Sequence, residues 1–277
     1  MAHDDTSRTA LVTGATRGIG RATAIALARR GYDVAITGRT VHEGDAARRS
    51  EAAALPELAK VPGSLDSTAA AIEAEGRRCY PIVLDLLDRD RLQPAAEEAI
   101  AALGHVDVLV NNAIYVGPAG ELRYLDTPPA EIEKRIFGNV IAQLVLMQPI
   151  VRHMVERGGG VIGNVTSGAG YMRPHAPIGE GGWALTYGVS KAGFHRIVDQ
   201  LLVEHRDDGI VALNLQPGAV ATERVLAAGE KLEFVARHAA PVELVGETIA
   251  RILDTADTFD NGANVQVQDV AKEWGLL

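Results

Sequence analysis

The chain has 277 residues, of which 47% are hydrophobic, and a formal net charge of −9. This composition supports a sizeable core and excludes gross disorder, while the negative charge argues against nucleic acid as a partner, because phosphate binding requires clustered lysines and arginines. No apolar run reaches the ~20 residues of a membrane span, and the lone Cys79 rules out an internal disulfide and predicts a reducing, cytoplasmic location.

Short apolar runs alternate with alanine-rich stretches along the chain. The predicted strands are Ala10–Thr13, Val34–Thr37, Tyr80–Leu84, Val106–Val110, Val161–Val165, Ile210–Leu215 and Val265–Val267. The predicted helices are Ile19–Arg30, Ser67–Glu75, Arg89–Leu103, Ala130–Glu156, Tyr187–His205 and Val242–Leu253. Apolar strands alternating with helices imply a parallel sheet covered on both faces. We therefore expect a single doubly wound α/β domain over residues 1–277, with a seven-stranded parallel sheet.

Three segments depart from this alternation. The polar N-terminal segment, residues 1–7, does not resemble a signal peptide and is expected to be disordered. Residues 40–62 carry charges, alanines and prolines, and predict an excursion of loop and short helix. Residues 168–183 are rich in glycine and proline and predict a long loop, which is a common place for function.

A glycine-rich turn follows the first predicted strand, in the segment Thr13–Gly20. Glycines let a backbone turn tightly and approach a diphosphate, and the helix that follows offers free N–H groups and a positive dipole end to the anion. Strand before and helix after are the context that this motif requires. The sequence therefore predicts a dinucleotide site here.

The end of the second predicted strand indicates which dinucleotide is bound. An acidic residue there binds the ribose 2′-OH of NAD, whereas an arginine accommodates the 2′-phosphate of NADP. Here the strand ends at Gly38 and Arg39 with no carboxylate, and Arg17 of the glycine-rich turn can reach the same region. Two basic groups favour NADP(H) over NAD(H).

Tyr187 and Lys191 are four residues apart in a predicted helix and therefore share one face. A phenol has a pKa of about 10, too high for acid–base work near neutral pH, and a nearby ammonium lowers it. The pair predicts a proton donor and acceptor.

Together these motifs resemble those of the short-chain dehydrogenase/reductase family, in its compact single-domain branch with a Rossmann fold. The resemblance covers nearly the whole chain and implies hydride transfer between a nicotinamide and a carbonyl or alcohol carbon. It implies that Tyr187 exchanges the proton, Lys191 lowers the Tyr187 pKa and binds the nicotinamide ribose, Ser167 binds the substrate oxygen, and Asn139 holds a water as a proton relay.

The resemblance also implies a set of cofactor-binding residues. These are Gly14, Thr16, Arg17, Gly18, Ile19, Gly20, Arg39, Asp85, Leu86, Asn112, Ala113, Tyr187, Lys191, Pro217, Gly218, Val220 and Thr222. Asn111 is expected to bridge strands through its amide. The expected partner is a small carbonyl or alcohol substrate, and the family implies a homodimer or homotetramer that pairs through the helices containing Asn139 and Tyr187.

The sequence departs from the family pattern at several points. Ile114 stands where the family usually has glycine, and Ser167 and Tyr187 are farther apart than usual because of residues 168–183. Residues 223–240 are expected to form a helical lid with an apolar face over the substrate. No Cys/His cluster predicts a metal site.

Two other interpretations remain open at this level. One is a nicotinamide-binding sensor without turnover, against which the intact set of Ser167, Tyr187 and Lys191 argues. The other is an epimerase or dehydratase of the longer sugar-nucleotide branch, which shares the Tyr/Lys pair. That branch has a different glycine spacing and a larger C-terminal domain than the roughly 55 residues that follow Thr222 here.

Overall fold

The computed structural model describes residues 7–45, 61–118, 122–227 and 237–277. Its strands are β1 Arg8–Val12, β2 Tyr32–Gly38, β3 Cys79–Val83, β4 Val108–Asn111, β5 Gly160–Val165, β6 Ile210–Gln216, β7 Val220–Ala221, β8 Ala240–Pro241 and β9 Asn264–Gln266. Its helices are α1 Gly18–Arg29, α2 Leu65–Ala74, α3 Leu92–Leu103, α4 Pro129–Ile136, α5 Ala142–Arg157, α6 Leu185–Glu204, α7 Glu223–Ala227, α8 Val242–Asp254 and α9 Val267–Glu273.

Seven of these strands form one parallel sheet in the order β3-β2-β1-β4-β5-β6-β9. The order reverses direction between β1 and β4, which is the position where ligands bind in open α/β sheets. The predicted doubly wound α/β fold with seven parallel strands is confirmed.

The core lies on both faces of this sheet. Successive side chains of β1 point to opposite faces, so Ala10 and Val12 pack in one hydrophobic cluster and Leu11 in the other. Helices α1 and α8 cover the first face, while α3 and α5 cover the second. All three of these β1 side chains are fully buried, which explains why the central strands read as continuous apolar runs.

The predicted helix Ala130–Glu156 is interrupted in the structure. Helix α4 continues into a π-helical turn, Phe137–Ile141, before α5 begins. The wider turn places Asn139 with its side chain against the backbone of Tyr115. A π-turn of this kind often marks a functional site.

A short parallel pair, β7 with β8, escaped the sequence prediction because each strand has only two residues. Residues 1–6 of the N-terminal segment, residues 46–60 of the excursion and residues 228–236 of the predicted lid lie outside the described residues. The described start of the lid is helix α7. Across the ranges that the structure describes, every helix is too short or too polar to cross a bilayer.

Candidate active site

The glycine-rich turn is built by close packing after β1. Gly14 and Gly18 have φ values of +67° and +58°, which favour glycine. A Cβ atom at Gly14 would lie 2.7 Å from the Cα of Ala113, and one at Gly20 would lie 2.3 Å from the amide nitrogen of Asn112. The turn therefore needs glycine for backbone reasons, and Gly20 serves packing instead of lining the cleft.

The turn is also held in place by Asn112. Its amide nitrogen donates to the carbonyl oxygens of Thr13 and Gly14 at 2.9 and 3.1 Å. The neighbouring Asn111 donates to the Asn164 side chain at 2.9 Å, so it bridges β4 and β5 as predicted. The motif after β4 thus fixes the turn after β1.

A cleft of about 390 Å³ opens at the carboxyl ends of the strands. The predicted residues that line it are Gly14, Thr16, Arg17, Gly18, Ile19, Arg39, Asp85, Leu86, Asn112, Ala113 and Thr222. The predicted residues that do not line it are Gly20, Tyr187, Lys191, Pro217, Gly218 and Val220. Sequence reasoning missed Thr37, Gly38, Thr40, Val61, Leu84, Ile114, Tyr115, Val116, Gly117, Glu223 and Arg224. Several of these residues directly follow a predicted one in the chain, and this adjacency is the only sequence signal that could have indicated them.

The Pro217–Gly218 turn lies beside the cleft. The side chain of Gln268 donates to the carbonyl oxygens of Pro217 and Ala219 at 2.9 and 2.7 Å. Gly218 has a φ of +73° and leaves no room for a Cβ, which would lie 2.4 Å from Gln268. Helix α9 therefore holds this turn in shape.

Basic groups line one end of the cleft, beyond β2. Arg17 donates to the carbonyl oxygen of Gly63 at 2.8 Å, and Arg39 forms an ion pair with Asp85 at 3.3 Å. Burial lowers the pKa of Arg17, Glu223 and Glu43 oppose this, and the positive charge of Arg39 lowers it further. The Arg17 Nε is buried without a hydrogen-bond partner.

An acidic residue that the sequence analysis did not single out, Glu43, lies near enough to Arg17 to raise its pKa. The Glu43 carboxylate accepts hydrogen bonds from the Gly63 N–H and the Ser64 hydroxyl, each at 3.0 Å. These bonds, that of Gly63 foremost, lower the Glu43 pKa. These bonds hold the Glu43 side chain against residues 63 and 64.

A second carboxylate, that of Glu223, accepts a hydrogen bond from the Gly18 N–H at 2.9 Å. Gly18 is the first residue of α1, so this carboxylate lies where the helix dipole attracts an anion. The glycine turn at the start of α1 and the basic residues Arg17 and Arg39 together fit a dinucleotide cofactor.

Tyr187 and Lys191 lie in the first two turns of α6, which begins at Leu185. Burial raises the pKa of Tyr187 above its usual value, while the nearby Ser167 hydroxyl and the charges of Arg224 and Arg135 act in the opposite direction. The Tyr187 pKa is therefore raised overall, whereas the sequence analysis expected a neighbouring ammonium to lower it.

Lys191 is buried, with 6% of its surface exposed. Its Nζ donates to the carbonyl oxygen of Val165, at the end of β5, at 2.9 Å. Burial lowers the pKa of Lys191 to about 8, because a buried ammonium loses its hydration. Lys191 is therefore partly neutral at mildly alkaline pH.

Ser167 follows β5 and caps a short 3₁₀ turn. Its hydroxyl accepts from the Ala169 N–H at 3.2 Å and lies close enough to Tyr187 to lower the pKa of that phenol. The pairing of these two side chains brings together two of the four predicted catalytic residues.

Asn139, the fourth predicted residue, holds the segment after β4. Its Oδ1 accepts from the Tyr115 N–H at 2.7 Å, and its Nδ2 donates to the Tyr115 carbonyl at 3.1 Å and the Ser190 hydroxyl at 3.2 Å. Asn139 therefore links this segment to α6, and its role in a proton relay stays a prediction.

The loop 168–183 lies beside this site. The Tyr171 ring packs at 5.0 Å from the His195 ring, and the His175 and Trp183 rings are 6.5 Å apart. Glu180 forms an exposed ion pair with Arg123 at 3.3 Å. The loop has internal aromatic contacts and is tied to the segment before α4. Over the ranges described, no cluster of His, Cys, Asp and Glu has the makeup of a metal site.

Comparison with known proteins decides the family. The sequence model described as short chain dehydrogenase matches residues 8–60 and 49–233. The chain belongs to the short chain dehydrogenase family. This is a family of NAD(P)-dependent oxidoreductases, and the resemblance drawn from the sequence motifs is confirmed.

Relatives within the short chain dehydrogenase family differ in length. The chain is 31% identical over 278 residues to "L-rhamnose 1-dehydrogenase (NAD(P)(+))" of a Sphingomonas species, covering 94% of this chain and 98% of the relative. It is 34% identical over 219 residues to "Probable oxidoreductase EphD" of Mycobacterium tuberculosis, covering 79% of this chain. The match spans only 32% of that relative, about a third of its length.

The fold also matches solved family members. The crystal structure of acetoin dehydrogenase from Enterobacter cloacae superposes with a TM-score of 0.73 at 25% identity, covering 95% of this chain and 94% of that chain. These matches support the dehydrogenase fold over the described residues.

Proposed function

We propose that the protein is an NADP(H)-dependent oxidoreductase that interconverts a ketone or aldehyde and an alcohol, with Tyr187 as the general acid and base. The observation that carries this proposal is that the Ser167 hydroxyl lies close enough to the Tyr187 phenol to lower its pKa. A hydroxyl pair of this kind offers two donors to one carbonyl oxygen.

Each site residue has a distinct part in the proposed reaction. Bound nicotinamide would supply or accept the hydride. Tyr187 donates its phenolic proton to the substrate oxygen in the reductive direction and takes it back in oxidation. Ser167 donates a hydrogen bond to the same oxygen and stabilises charge that develops there. Lys191 is anchored to the Val165 carbonyl and would bind the ribose of a bound nicotinamide cofactor.

The preference for NADP(H) rests on the basic end of the cleft. Arg17 and Arg39 both line it beyond β2. A guanidinium binds phosphate with paired donors, and the buried Arg17 Nε is without a partner. Glu43 lies near Arg17, but its carboxylate is hydrogen-bonded to Gly63 and Ser64. It therefore does not take the place of the acidic residue that selects NAD.

A groove of about 910 Å³ on the α5 and α6 faces supports a homo-oligomer. Leu144 is 48% exposed at its edge, and Ile197 and Leu201 of α6 line it. We propose that a second copy covers these helices. Leu144→Asp should shift the sedimentation coefficient toward that of a monomer, and an unchanged oligomer would place the contact elsewhere.

The function is tested by a panel of ketones, aldehydes and alcohols with NADPH, NADH and their oxidised forms. With wild-type protein, a carbonyl substrate should consume NADPH and an alcohol substrate should produce it. With Tyr187→Phe, neither change should occur. Cofactor binding without turnover across the panel would favour the sensor interpretation.

A further inference from the structure

The chain that follows β4 lines the cleft without being part of a helix or a strand. Residues 112–117 all face the cleft and have no regular secondary structure. The backbone groups of such a segment lack the partners that a helix or sheet provides, so other groups must supply them. Three side chains spaced four residues apart contact it: Glu131 and Arg135 on α4, and Asn139 in the π-turn that follows.

These contacts fall on residues 115–117, which we call the cleft wall. Asn139 binds the N–H and the carbonyl oxygen of Tyr115 at 2.7 and 3.1 Å. Arg135, with 3% of its surface exposed, donates to the carbonyl oxygen of Val116. The Tyr115 hydroxyl donates to the Glu131 carboxylate at 2.8 Å. One helical stretch therefore binds both the backbone of the cleft wall and its largest side chain.

Two glycines make room for the Tyr115 side chain. A Cβ atom at Gly117, whose φ is +63°, would lie 2.6 Å from the Tyr115 hydroxyl oxygen and 2.7 Å from a carboxylate oxygen of Glu131. A Cβ atom at Gly138, in the π-turn, would lie 2.7 Å from the Cβ of Tyr115. The backbone of Gly117 thus lies directly against the bond between Tyr115 and Glu131, and this bond fixes the position of Gly117 in the cleft.

Glu131 is a carboxylate at neutral pH although most of its side chain is buried. Only 12% of that side chain is exposed, and burial raises its pKa. The hydrogen bonds from Lys134 and Tyr115 act in the opposite direction, and the Glu131 pKa is lowered overall. A hydroxyl that donates to an ionised carboxylate forms a stronger bond than one that donates to a neutral group. The bond between Tyr115 and Glu131 is therefore a strong support for the cleft wall.

We infer that Glu131 and Arg135 are positioning residues for the nucleotide cofactor, because they hold the cleft wall in the shape that the nucleotide meets. A dinucleotide at the switch point of the sheet lies between the turn after β1 and the segment after β4. A segment that is ordered beforehand loses less conformational entropy when the ligand binds. Both residues act through the cleft wall and do not line the cleft themselves. The inference rests on the cofactor site of the proposed function.

Variants of the Tyr115 and Glu131 pair test this inference and leave the buried Arg135 in place. Tyr115→Phe removes the donor and keeps the ring, Glu131→Ala removes the acceptor, and Glu131→Gln keeps an acceptor on a side chain of the same length. Glu133→Ala is the matched control, because it removes the same charge from an exposed position of the same helix. Each full-length protein is titrated with NADPH and with NADH by fluorescence, below its measured unfolding temperature.

Tyr115→Phe and Glu131→Ala should each weaken both nucleotides about tenfold, the effect of losing one hydrogen bond to a charged group. The double variant should bind no more weakly than either single variant, since both changes remove the same bond. Glu131→Gln should recover most of the affinity, and Glu133→Ala should match wild type. With a substrate that is converted, KM for NADPH should rise while kcat stays close to that of wild type.

Wild-type affinity in folded Tyr115→Phe and Glu131→Ala proteins would overturn the inference. Additive losses in the double variant, or an equal loss in Glu133→Ala, would overturn it as well. If Glu131→Ala does not fold, the comparison of Tyr115→Phe with Glu133→Ala decides. The titrations need no turnover, so wild-type protein that binds NADPH but converts no substrate would contradict the proposed reaction and leave this inference standing.

Discussion

The carboxylate of Glu223 accepts a hydrogen bond from the backbone N–H of Gly18, 2.9 Å away, at the start of the first helix. This N–H belongs to the turn in which a cofactor diphosphate would bind. A carboxylate and a diphosphate carry the same sign of charge, so they compete for the donor. The Glu223 side chain, on helix α7, must therefore move away from Gly18 when a dinucleotide binds.

The first prediction concerns this competition. Glu223→Gln should tighten binding of both NADPH and NADH about tenfold, because one nearby like charge is removed. The measurement is a fluorescence titration of each nucleotide. Glu243→Gln, at an exposed carboxylate in the first turn of α8, is the control. Adenosine, which has no phosphate, should bind Glu223→Gln and wild type equally, and an equal gain for adenosine would show that the effect does not come from repulsion between Glu223 and the phosphates.

The second prediction concerns the basic end of the cleft. Arg39→Ala should weaken NADPH binding by about tenfold or more, because a charged hydrogen bond to phosphate is lost. NADH binding should change little. The change also breaks the ion pair of Arg39 with Asp85, which spans 3.3 Å, so Asp85→Asn serves as the comparison. Preference of the wild-type protein for NADH would contradict the NADP(H) assignment.

The third prediction follows from the buried ammonium of Lys191. Its pKa in the folded protein is about 8, below the unfolded value of about 10.4. Between these values the unfolded chain binds the proton and the folded one does not, so the free energy of unfolding gains with rising pH. Below about pH 8 the folded state carries the full penalty of the buried charge.

Denaturant unfolding of wild type and Lys191→Met tests this. The stability of wild type relative to Lys191→Met should rise between about pH 8 and about 9.5, by up to about 1.4 kcal/mol for each pH unit. Burial also raises the pKa of Tyr187, which lowers the free energy of unfolding only at higher pH. Tyr187 is present in both proteins, so its contribution cancels in the comparison. A flat difference across this range would show that Lys191 keeps an ordinary pKa.

Much of this arrangement follows from sequence patterns that are local. The apolar strands are buried on both faces, so their order of appearance and their near-continuous hydrophobicity predict the sheet. The glycine-rich turn is equally local, because the left-handed φ of Gly14 and the close approach of Ala113 demand glycine whatever lies farther away.

Other features depend on contacts between distant segments. The π-turn at Asn139 requires the backbone of Tyr115 as a partner, and helix periodicity does not encode that partner. Arg135 reads as one more charge on a polar helix until α4 is packed on α6. The Glu223 contact joins residues 205 positions apart, which no local pattern predicts.

The most direct test of the account is the turnover of Tyr187→Phe. The variant removes one hydroxyl and keeps the ring, so folding and NADPH binding should match wild type. With a carbonyl or alcohol that wild-type protein converts, kcat of Tyr187→Phe should fall by about a hundredfold or more, the usual contribution of a positioned acid and base. Turnover at the wild-type rate, with the cofactor bound equally well, would contradict the assignment of Tyr187 as the proton donor and acceptor.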